Sequence, residues 1–149
     1  MKRIRMQAGE DGFTLAEVMI VLLALSLLTG AGWYSFQSFH KSVQTKAFLK
    51  SLKKDLYFTQ QTAAVNESFV TFVFHQDHTY SVRMGAAKVY KKVVYPEFIT
   101  VEPITMPLSI VYNPRGNISQ GGMLMIRAGK KRFHLVFQIG KGRFYVEER

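Results

Sequence analysis

Residues 9–17 read GEDGFTLAE, and the apolar run VMIVLLALSLLTGAGW (18–33) follows at once. Between Val18 and His40 there is no acidic or basic residue apart from His40 itself. With Phe13–Ala16 before it and Tyr34–Phe36 after it, the run reads as a helix of the ~20 residues a bilayer crossing needs. Lys2, Arg3 and Arg5 precede it, so the positive-inside rule places the N-terminus in the cytoplasm and the remainder outside. Trp33 and Tyr34 fall where interfacial aromatics belong. Glu17 is the anomaly. A carboxylate at the start of an apolar helix is costly unless paired, and so is a functional candidate.

Three classes of N-terminal segment fit the apolar run. A secretory signal would end in small residues, for which Gly30-Ala31-Gly32 is a weak candidate. A plain signal anchor needs only the run and its basic flank. Neither gives Glu17 a role, and a chance glutamate at a helix start is the remaining alternative.

The segment Gly12-Phe13-Thr14-Leu15-Ala16-Glu17, behind a short basic leader and ahead of an apolar helix, resembles the type IV pilin and pseudopilin signal. The resemblance implies that a prepilin peptidase cuts between Gly12 and Phe13 and methylates the new N-terminus at Phe13. It also implies that Glu17 sets register between assembled subunits, by pairing with a neighbour's Phe13 ammonium. Burying either charge alone would cost more than burying the pair. Many pilins carry a proline in this first helix, whereas this chain has none before Pro96. Gly30 and Gly32 are then the weak points where local melting would begin.

From Phe13 to about Asn66 nothing else stops a helix. Phe36, Phe39, Val43 and Ala47 fall on one side, and Leu49, Leu52, Leu56, Thr59 and Ala63 on roughly the opposite one. The first stripe suits neighbouring subunits and the second suits packing under a sheet. A single core stripe of noisy phase is the alternative. Lys41, Lys46, Lys50, Lys53 and Lys54 read as a solvated face. After Asn66 the texture turns to β, at 68–74, 79–84, 88–95, 98–102, 122–128, 132–139 and 143–148, with turns at HQDHT (75–79) and NPRGN (113–117). The expected fold is α+β: a long N-terminal helix, membrane-spanning in its first half, packed on one C-terminal antiparallel sheet. The corresponding segments are a cleaved leader (1–12), a transmembrane or filament-core helix (13–36), an amphipathic continuation (37–66) and a β domain (67–149).

The stretches DLYFTQQTAA (55–64) and GGMLMIRAG…VFQIGKGRFYVE (121–147) extend the resemblance to the minor pilins of Gram-positive competence systems, of the ComGD type. That family implies a subunit of a pilus that takes up transforming DNA. Its implied partners are the prepilin peptidase, other major and minor competence pilins, an assembly ATPase, a polytopic platform protein, and membrane lipid before assembly. It also implies a single-pass membrane protein that moves to the cell surface. A type II secretion pseudopilin, handling exported protein, is the alternative function.

The chain has 149 residues, no cysteine, and a formal charge of +10, so polyanions are plausible partners. Lys88, Lys91, Lys92, Lys130, Lys131, Arg132, Lys141 and Arg143, with Tyr90, Tyr95, Phe144 and Tyr145 among them, are candidate DNA contacts. Lysines on strand edges also discourage aggregation, which is the plainer reading. His75, Asp77 and His78 lie close in sequence but read as a solvated turn without a third strong ligand. His134 reads as a surface residue. No nucleophile triad, phosphate loop or paired-carboxylate motif appears, so neither an enzyme, a metal site nor a cofactor is expected.

Overall fold

The computed structural model describes residues 12–85, 88–140 and 142–149, with the side chains of 29–37 excluded. The leader before Gly12, Lys141, and the side chains of Trp33, Tyr34 and Phe36 therefore lie outside the described residues. The chain divides into two compact units at His40/Lys41.

Helix α1 spans Leu15–Val65 and continues through Gly30 and Gly32. Thr14 starts it. Its carbonyl accepts the Val18 N–H, and its hydroxyl accepts the Glu17 N–H at 3.3 Å. Thr14 and Glu17 thus stand in the T-x-x-E spacing of a capping box, with the acid also favoured by the helix dipole. The helix ends without a glycine. Glu67 takes the left-handed conformation (φ 46°), and the Ser68 and Glu67 N–H groups return to the Ala63 and Ala64 carbonyls.

The membrane-spanning expectation is overturned. Among the described residues, no helix is long and apolar enough to cross a membrane. Lysines recur along α1 from Lys41 onward, so its second half is not an apolar span. The expected single-pass location goes with it.

The single sheet is corrected too. Among the described residues, eight strands follow α1: β1 (Val70–Phe74), β2 (Thr79–Met84), β3 (Lys88–Val94), β4 (Ile99–Pro103), β5 (Ser109–Tyr112), β6 (Gly122–Ala128), β7 (Lys131–Phe137) and β8 (Phe144–Glu148). They form two four-stranded antiparallel sheets, ordered β3-β2-β1-β5 and β4-β6-β7-β8. A meander fails at Pro96. The chain turns there, with the Ile99 N–H on the Pro96 carbonyl, and β4 pairs with β6 instead of β3. Strand β5 then returns to the free edge of β1, in register from Val70↔Tyr112 to Val73↔Ser109. Ile118 joins the sheets by bridging to both Tyr112 and Gly140.

Residues 41–149 share one core. Alternation in β1 sends Val70, Phe72 and Phe74 inward, and Phe72 stacks on Tyr80 at 4.8 Å. The second half of α1 contributes Phe48, Leu52, Leu56 and Ala63, all buried. Thr45 and Thr59 sit in the same stripe because their hydroxyls donate to the Lys41 and Asp55 carbonyls one turn back. Phe39 and Val43, from the other expected stripe, are exposed.

Gln60 fastens the turns to the helix. Its side-chain amide donates to the Gly116 carbonyl at 2.9 Å. Gly142 lies against this contact at φ +65°, where a Cβ would come within 2.6 Å of Gln60 Nε2 and 2.9 Å of the Gly116 oxygen. Left-handed strain and collision with backbone act together. Gly142→Ala is expected to cost roughly 1–3 kcal/mol, read as a lowered urea midpoint. Gly129→Ala has the same backbone strain but open space around it, and should cost less.

Candidate functional site

The first helical turn presents the residues expected to matter for processing and assembly. Gly12 and Phe13 precede the helix in an exposed segment, with nothing within 4 Å of a Cβ built on Gly12. That open approach is what a peptidase needs at a scissile bond. Glu17 is exposed in the first turn of α1. From Leu15 to Leu28 the described apolar side chains are exposed on every side of the helix. A helix that is apolar all round is normally buried, so this segment is chemically incomplete in the single chain.

The basic candidates separate into distinct environments. Lys91 is engaged by an acid: its ammonium lies 2.6 Å from the Asp55 carboxylate, which is 2% exposed. Tyr80 donates to the other Asp55 oxygen at 2.6 Å. Helix and sheet are thus tied by one carboxylate with two donors. Lys92 pairs with Asp77 at 3.4 Å, and Lys131 with Glu148 at 2.6 Å, both on the surface. Lys88 lies over the Tyr90 ring, 4.9 Å from its centre. Lys130 and Arg132 are exposed around the β6–β7 turn, and Arg143 is exposed at the start of β8. Tyr95 is buried and Tyr90 half-buried, which removes them as open stacking platforms.

The histidines engage separate partners. His75 Nε2 meets Ser81 Oγ at 2.8 Å, His78 Nδ1 meets the Ile99 carbonyl at 3.2 Å, and Asp77 accepts from Thr79. Among the described residues no cluster of three His, Cys, Asp or Glu side chains could hold a metal. His134 is half-buried on β7, and its Nδ1 is buried without a partner.

Two features escape a reading by residue type. The capping box was legible as T-x-x-E but competes with the signal reading of Glu17. Asp55 had a signal as well: it is the one acid in the lysine-rich half of the helix, set in the Leu52–Leu56–Thr59 phase.

Over 140 residues the chain is 26% identical to competence protein ComGD of Bacillus subtilis, covering 94% of this chain and 95% of that protein. The chain is similar to ComGD over nearly its whole length. This agrees with the resemblance to competence minor pilins drawn from GFTLAE and from the C-terminal stretches. No protein-family model matches the chain, and no solved structure does. The similarity to ComGD therefore extends through the β strands as well as the first helix.

Burial raises the Tyr80 hydroxyl well above its ordinary value, and the Asp55 carboxylate adds to the shift. Burial does the same at Tyr112. A raised folded-state pKa means that the folded chain holds these protons longer than the unfolded chain does. The stability they contribute is complete below the unfolded value of ~10 and is lost as pH rises above it. Urea unfolding followed from about pH 8 to about pH 11 should show stability falling above pH ~10, and Tyr80→Phe should flatten that fall.

Proposed function

We propose that this chain is a minor pilin subunit of a competence pilus, serving uptake of transforming DNA as a structural component and not as an enzyme. One conjunction carries the reading: the Gly12–Glu17 signal heads a chain similar to competence protein ComGD over almost all of its length. A prepilin peptidase cuts between Gly12 and Phe13, and Phe13 becomes the methylated N-terminus. Other competence pilins then cover the exposed apolar turns of α1. Burial of that surface supplies the drive for assembly at ~25 cal/mol per Å².

Glu17 selects register in this scheme. The Phe13 ammonium of one subunit satisfies the Glu17 carboxylate of the next, so a slipped neighbour leaves two unpaired charges. The assembly ATPase and its platform protein complete the partner set.

Co-expression with a prepilin peptidase tests the processing step. Intact mass and N-terminal sequencing should give a chain beginning at methylated Phe13, and Gly12→Val should remain uncut. A host deleted for this chain should lose transformation, and Glu17→Ala should not restore it although Phe13 is still exposed by cleavage. An uncut chain beside an active peptidase, or a deletion that transforms normally while protein export fails, would overturn the reading. The latter result would favour a type II secretion pseudopilin.

A further inference from the structure

The outer face of the first sheet holds a positive charge with no acid to answer it. Side chains alternate along β1 and β2, so Thr71, Val73 and, just past β1, His75 share that face with Thr79, Ser81 and Arg83. The inward residues between them are closed off, at 0% exposure for Val70, Phe72 and Val82, whereas Thr71, Val73 and Arg83 are only half-buried. Strand β5 sets Val111 opposite Thr71, and β3 sets Val89 opposite Arg83. The guanidinium of Arg83 thus belongs to an open sheet face of β-branched side chains.

Its seat is built from neutral groups. Arg83 Nη2 donates to Ser81 Oγ at 3.1 Å and lies 3.4 Å from His75 Nε2, which itself meets Ser81 Oγ at 2.8 Å. Arginine can only donate, so both contacts are met when His75 accepts at Nε2. Ser81, at 3% exposure, is the buried pivot of the three. Among the described residues Arg83 forms no ion pair, and its Nε is buried without a partner. Buried donors are ordinarily satisfied in a folded chain, so an orphaned guanidinium N–H points to a group that arrives from outside.

The surroundings select the class of that group. Lys92 lies opposite Ser81 on the same face but is paired with Asp77, whose own charge opposes further anions. One unpaired guanidinium balances one negative charge, which suits a carboxylate; a polyanion would need a row of unpaired cations. Val73, Val89 and Val111 offer apolar contact around it, as at the centre of a protein interface anchored by arginine. The formal charge of +10 makes a second copy of this chain a poor donor of that carboxylate and an acidic partner a good one. We infer that Arg83, seated on Ser81 and His75, receives a carboxylate side chain from an apolar-flanked segment of an acidic partner protein. The inference rests on the pilin reading for its setting, in which the partner is another subunit, but capture of the carboxylate at Arg83 does not depend on it.

Nuclear magnetic resonance of the full chain in non-ionic detergent, carrying isotope-labelled arginine, reads the Arg83 Nε–H directly. The exposed Arg115, Arg132 and Arg149 serve as internal references. The probe is the blocked peptide acetyl-Val-Thr-Glu-Thr-Val-amide, compared with its glutamine counterpart, acetate and inorganic phosphate. The expected result is a saturable shift at Arg83 with the glutamate peptide, roughly tenfold tighter than with the glutamine peptide. Ser81→Ala keeps the charge but loosens its seat, and should weaken the response. Arg83→Met should abolish it yet leave the urea midpoint unchanged or raised, because a half-buried charge without an acid is removed. An Arg83 signal that moves no more than the three references, equal response to acetate or phosphate, or a midpoint lowered by Arg83→Met would overturn the inference. So would concentration-dependent self-association that Arg83→Met removes, which would assign the carboxylate to a second copy. A host that transforms normally without this chain, beside a saturable Arg83 response, removes the pilin setting and leaves the site. Full transformation with Arg83→Met and no peptide response removes the site and leaves the pilin reading.

Discussion

A carboxylate that is 2% exposed must be met by donors in the protein, and Asp55 is met by Tyr80 and Lys91. That requirement orients the second half of α1. With Asp55 turned to β2 and β3, Leu52, Leu56 and Thr59 fall inward, and Tyr57 and Gln60 fall on the flank bordering β8 and the Gly116 turn. Rotating the helix by one residue would bury a lysine and strand the acid. Apolar packing alone tolerates such slippage better than a carboxylate with two fixed partners does.

Much of this was legible because it is periodic or chemically distinctive. Leu52, Leu56, Thr59 and Ala63 announce the packed face by spacing, and all are buried. HQDHT and NPRGN announce turns, and His78 and Gly116 take the positive φ such turns need. Other features carry no local signal. SIVY at 109–112 is a four-residue strand between Pro107 and Asn113, too short to show alternation, yet it completes a sheet. Its omission, together with the switch at Pro96, is why one meander was expected where two sheets exist. The span reading followed an unbroken apolar string, whereas among the described residues no helix is long and apolar enough to cross a membrane.

The candidate site divides along the same line. Gly12, Phe13 and Glu17 were marked by residue type and order alone, since the proposed processing signal is a local one. The basic candidates were marked only by charge, and charge in a sequence has no partner attached. Lys91 became part of the helix–sheet tie, whereas Lys46, Lys50 and Lys53 form no ion pair among the described residues. What separates them is whether an acid lies opposite after folding, and Asp55 is 36 residues away from Lys91.

Strand β5 belongs to the first sheet but is made after β4, which belongs to the second. The two sheets are therefore interleaved along the chain and cannot be separated by any single cut. During synthesis the outer edge of β1 stays open until β5 leaves the ribosome, while β4 awaits β6. An unpaired edge is a template for wrong partners, so this interval is the vulnerable period of biogenesis. Recombination is constrained in the same way: a crossover within 70–148 would separate at least one strand from its partner.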